Sequence, residues 1–95
     1  MYKEIHRLAE MLTAEKIPHA LMKLFDGWKI SYKEGGIEVL SVIEHQYSYG
    51  SDEDRLEIMG LLTPAELEED LVKGHLTAEE VFNRIKKHNE EANNG

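Results

Sequence analysis

A chain of 95 residues has the length of one domain, and a domain near this size buries only about 60–65% of the surface its unfolded chain exposes. With 41% hydrophobic and 32% charged residues, it has the makings of one core and lies far from the core-poor composition of disordered chains. The absence of cysteine excludes disulfide frameworks, thiolate zinc sites and thiol nucleophiles, and fits a cytoplasmic setting. The net charge of −8 is concentrated in residues 44–80, where eleven acidic side chains face only Arg55 and Lys73; such a field repels a phosphate backbone and argues against nonspecific nucleic-acid binding.

The amino-terminal stretch MYKEIHRLAE is charged from Lys3 onward, and no apolar run approaches the roughly 20 residues needed to span a bilayer. Neither export nor membrane insertion is expected. Ile5, Leu8, Ala9 and Leu12 recur at the spacing of a helix with one buried stripe, and Pro18 biases Ile17 away from helix; the pattern predicts a first helix ending near Lys16. Two β-favouring runs, ALMKLF and WKISYK, then flank Asp26-Gly27, a pair suited to a two-residue type I′ hairpin. With those two residues as the loop, Phe25 opposes Trp28, Lys23 opposes Ile30 and Leu21 opposes Tyr32 on the inward face. Phe25, Trp28 and Tyr32 read as core rather than as a ligand box.

A second turn at Glu34-Gly35-Gly36 leads into IEVLSVIEHQYSY, read as a third strand of an antiparallel meander. Beyond Gly50 the signals are helix starts. Ser51 with Asp54, Thr63 with Glu66, and Thr77 with Glu80 each pair a hydroxyl with an acid three residues on, the spacing of a capping box. Pro64 suits the first helical position, and Gly60 and Gly74 read as terminators. A last helix, about 78–90, offers Val81, Phe82 and Ile85 to the core. The expectation is an α+β domain over residues 1–92: an N-terminal helix, a three-stranded meander, short helices and a C-terminal helix on one face of the sheet, with 93–95 a frayed tail.

Continued as a strand, the third run places Ile43, His45, Tyr47 and Tyr49 on one face and Val42, Glu44, Gln46 and Ser48 on the other. The His45, Tyr47 and Tyr49 face is a candidate ligand site where a base stacks, with Lys29 or Lys33 reaching a phosphate. Glu44 and His45 point to opposite faces, which prevents a dyad between them. Nothing marks a nucleophile, an oxyanion hole or a phosphate-cradling loop, so an enzyme is disfavoured and a hydrolase ranks a distant third. His6, His19, His45, His75 and His88 are too scattered for a metal site, and no cofactor is expected. Glu66, Glu68, Glu69 and Asp70 form a candidate acidic surface for a basic partner.

The stretches IPHALMKLFDGWKISY, SVIEHQYSYGSDEDRLEIMGLLTP and GHLTAEEVFNRI resemble a family of small, functionally uncharacterised phage and prophage proteins of gut Firmicutes. The resemblance covers most of the chain and contains no catalytic motif. It implies an accessory protein in the cytoplasm of a bacterial host, in a neighbourhood where inhibitors of host defence are common. The leading functional expectation is noncatalytic binding of a host protein through the acidic surface, and the alternative is a small-ligand or nucleotide module. The chain is expected to fold alone or as a homodimer.

Overall fold

A computed structural model describes the backbone of residues 2–94 and the side chains of residues 2–92. The fold is α+β. Helix α1 (Lys3–Ala14) is followed by strands β1 (Ala20–Leu24), β2 (Gly27–Glu34) and β3 (Ile37–Glu44), a 3₁₀ turn (Ser51–Glu53), β4 (Leu56–Met59), helix α2 (Pro64–Glu69), β5 (Lys73–Leu76) and helix α3 (Ala78–Asn94). The strands lie in chain order, each antiparallel to the next. The expected meander thus has five strands rather than three, and residues 56–59 and 73–76 are strands in the stretch after Gly50 for which short helices ending at Gly60 and Gly74 are expected. Leu56 and Ile58 alternate with Glu57 and Met59, and their buried side chains give β4 one inward face. β5 contributes only Leu76 to the core.

The first hairpin turns two residues away from the predicted register. Leu24 pairs with Gly27, Lys23 with Trp28 and Leu21 with Ile30, so Phe25 and Asp26 form the loop. A slip of two preserves the side-chain alternation, so Ile30 and Tyr32 still point inward, but Phe25, expected in the core, is left in the loop and is 67% exposed, and Leu21 is also exposed. Phe25 takes a φ of 55°, a conformation costing about 1 kcal/mol or more for a bulky residue. Gly27 is needed elsewhere: a Cβ on it would collide with the carbonyl oxygen of Glu44, so its bareness serves the approach of β3 rather than the turn. The two-residue loop with positive φ at both positions is Gly35-Gly36, at 57° and 82°, between paired Glu34 and Ile37.

The stripe of α1 is buried at Ile5, Leu8 and Leu12, and α3 buries Val81 and Ile85 beside partly covered Phe82. They meet Ile30, Tyr32, Leu40, Val42, Leu56, Ile58 and Leu76 on one side of the sheet in a single core. The Tyr32 hydroxyl is satisfied inside, donating to Glu34 at 3.1 Å and Asn89 at 3.4 Å. The Thr63–Glu66 and Thr77–Glu80 boxes form, each with reciprocal side-chain and backbone bonds. The Ser51–Asp54 box does not: the 3₁₀ turn begins at Gly50 without a side-chain cap, and Asp54 turns into left-handed backbone. Gly60 follows a strand and Gly74 lies within one, so neither terminates a helix. The backbone of α3 runs on to Asn94; of the tail expected to fray at 93–95, residue 95 and the side chains of 93 and 94 lie outside the described residues.

Candidate functional site

β3 stops at Glu44, so the predicted strand face from Ile43 to Tyr49 does not exist. Local hydrogen bonds turn the chain. The Gln46 amide donates to Asp26 Oδ1 at 2.7 Å, the His45 amide to Ser48 Oγ at 3.1 Å and the Ser48 amide to the His45 carbonyl at 3.0 Å. His45 is 6% exposed, whereas Tyr47 is 69% exposed. They nonetheless meet, with Phe25 between them: ring centroids lie 5.0 Å apart for Phe25 and His45 and 5.4 Å for Phe25 and Tyr47, both edge-on. Tyr49 departs toward β4 and β5, its amide donating to Glu57 at 2.9 Å and its carbonyl accepting from the His75 amide. Lys29 pairs with Glu38 at 3.2 Å, opposite Ile43 on the face of the sheet away from the helices. Lys33 is exposed beside a bulge in the β2–β3 pairing. Of the five candidate ligand residues, only Lys33 lines any of three hollows on the molecule.

The end of the sheet holds a carboxyl cluster that the sequence reading passed over. Tyr2 donates its hydroxyl to Asp26 Oδ2 at 2.5 Å, which pushes the phenol up to about 12, with burial adding to the effect; the same bond, with the Gln46 amide, holds Asp26 below its ordinary value. Glu44 is fully buried opposite Trp28. Its Oε1 accepts from the Ile5 amide at 3.3 Å, and Asp54 Oδ1 accepts from the Glu4 amide at 3.2 Å. Two carboxyls from distant segments thus satisfy the first turn of α1, whose own N-cap, Tyr2, offers no side-chain bond. Burial first, then the Asp54 hydrogen bond and the charges of Asp54 and Glu4, push Glu44 up to about 8. Burial also works to raise Asp54, but hydrogen bonds from Glu44 and the amides of Glu4 and Lys3 outweigh it and hold Asp54 below its ordinary value. The signal was present in the alternation Leu40, Val42, Glu44, which points an acid inward.

The acidic segment divides into two kinds of carboxylate. Glu66 is occupied: Arg84 grips it with two bonds of 2.8 and 2.6 Å, Lys73 stands 3.6 Å away and the Thr63 amide completes the set. The arginine above all drives its carboxyl down to about 2. It is therefore a fastening, contrary to its expected place in a free acidic surface. Glu68, Glu69 and Asp70 are exposed, and on either side of them so are Leu67 (51%) and Leu71 (70%). α2 has no buried residue.

Hollows of about 480, 440 and 240 Å³ lie respectively between the 61–63 loop and α3, between α1 and Leu21, and beside Pro18 and Lys33. None of the three touches Glu44, His45 or Tyr47. Among the described residues no group of three or more His, Asp or Glu has the geometry to hold a metal ion, and no helix is long and apolar enough to cross a membrane. Comparison with protein-family models, curated proteins and solved structures gives no match to this chain.

Proposed function

We propose that the protein is a noncatalytic binding module that engages a basic protein surface through α2 and the residues just after it. The observation carrying this reading is that a helix with no buried residue is held in place by a capping box and a bidentate ion pair, while two leucines and three acids are exposed to solvent. Exposed leucines cost solubility unless a partner covers them. Acids around an apolar pair draw a basic partner and set its orientation, leaving burial of the leucines to supply the affinity. On the family resemblance, that partner is a protein of the bacterial host and binding inhibits it. The nucleotide reading has less support, because β3 ends before the His45, Tyr47 and Tyr49 face can form and Lys29 is paired with Glu38.

The test is quantitative affinity purification from the producing cells with the wild-type chain, a Leu67→Ala/Leu71→Ala double variant, a Glu68→Gln/Glu69→Gln/Asp70→Asn triple variant and a Lys33→Ala control. The same protein should be retained by wild type and control and lost from both α2 variants, with the retained complex weakening as salt rises. A set of bound proteins indifferent to both α2 variants contradicts the proposal.

A further inference from the structure

The carboxyl cluster at the end of the sheet has a geometry that requires a proton. Glu44 Oε2 is buried and has no donor aimed at it, and the Asp54 carboxyl lies alongside, since the two carboxyls take the amides of successive residues of α1, Ile5 and Glu4. Two carboxylate oxygens both accept, so their contact is a hydrogen bond only when one carries hydrogen. Asp54 is already served by backbone amides at the start of α1, which favours its ionised form and leaves the proton on Glu44. Nearby positive charge favours an ionised Asp54 and supplies no donor to Glu44 Oε2: Arg55 spends its guanidinium on the backbone carbonyls of Glu53 and Asp54, at 3.2 and 3.3 Å. Glu4, on α1, is a further acid and is committed to the Ala78 amide at the start of α3, at 2.5 Å. Tyr2 is committed to Asp26. From β2 the facing residue is Trp28, which has no charge.

These bonds join elements that are distant in the chain. Through Ile5 and Glu4, α1 is tied to the end of β3 and to the loop before β4; through Glu4 it is tied to α3. We propose that the docking of α1 is a proton-controlled latch, closed while Glu44 and Asp54 share one proton and loosened when that proton leaves. Loss of the proton places two like charges side by side in a buried site, and the first turn of α1 is where the strain is relieved. Because the folded chain holds a proton that the unfolded chain releases above the ordinary glutamate range, this contribution to stability is complete below about pH 4.5. It falls as pH rises and is gone once pH has passed about 8. The carboxylates whose values are lowered, Asp26, Glu34, Glu38, Asp54 and Glu66, act below that window.

Unfolding equilibria measured between pH 5 and 9 on the wild-type chain and on E44Q test the latch. The amide of E44Q can donate to Asp54 and accept from Ile5 at every pH. The wild-type folding constant should fall by up to tenfold per pH unit through this group, about 1.4 kcal/mol per unit. E44Q should lack that one-proton slope and keep the Ile5 amide protected from hydrogen exchange at pH 9, where wild type loses protection. Direct carboxyl-carbon NMR of the wild-type chain decides the matter independently, even if E44Q does not fold. A Glu44 titration near neutral or mildly alkaline pH supports the latch, and one in the ordinary glutamate range, or an undiminished slope in E44Q, overturns it.

Discussion

Helices α1 and α2 are both held to the fold, but by opposite means. α1 buries Ile5, Leu8 and Leu12 and has its first turn satisfied by carboxyls from elsewhere in the fold. α2 buries nothing and is fixed by Thr63, Glu66 and Arg84. A helix driven into place by apolar burial is part of what makes the chain fold, whereas one fastened by polar bonds can be carried at little cost to the core. The contrast separates residues that specify the fold from residues free to serve a partner.

The sharpest way to break the contrast is to compare truncations on the two helices. Leu8→Ala should destabilise the fold by about 2–5 kcal/mol, while Leu67→Ala should stay within about 0.5 kcal/mol of wild type, both read by denaturant unfolding. A large cost at Leu67 would place α2 in the core. At the opposite end of the sheet Gly27→Ala should cost several kcal/mol or prevent folding, since its methyl group meets the Glu44 carbonyl; a neutral result would show that β3 can move away. Arg84→Met should cost about 1–2 kcal/mol by freeing Glu66. Because Glu66 is driven down to about 2, its contribution is present above the ordinary glutamate value and disappears as pH falls toward 2. Thermal unfolding from pH 5 to 2 should therefore show an acid loss that Arg84→Met lacks. Smallest is Thr77→Ala, about 1 kcal/mol from the lost cap of α3, measured by the same unfolding curves.

The sequence made the helices and the inner face of β2 readable because each carries a strong period: the α1 stripe, the Val81 and Ile85 pair of α3, and Ile30 with Tyr32. The hydroxyl–acid spacing located the starts of α2 and α3. β4 and β5 were hidden for physical reasons. Each has four residues, and Lys73-Gly74-His75-Leu76 shows no alternation, so its pairing with β4 is a tertiary outcome. The hairpin slipped by two because Gly27 was judged by turn chemistry, when its demand comes from Glu44 across the sheet. The predicted aromatic face failed at Glu44, where side-chain bonds from Asp26 and Ser48 outcompete strand pairing. Glu66, Glu68, Glu69 and Asp70 look alike in one dimension, and only the position of Arg84 on another helix separates the fastening from the free acids.

Native-state hydrogen exchange measures the division between the two helices most directly. The amides of Leu67 and Asp70, bonded to Thr63 and Glu66 within α2, should exchange through local openings far below the global unfolding free energy, and Arg84→Met should abolish their protection while that of Leu8 and Leu12 persists. Exchange of both helices in one cooperative step, with α2 protected as strongly as α1, would contradict the account.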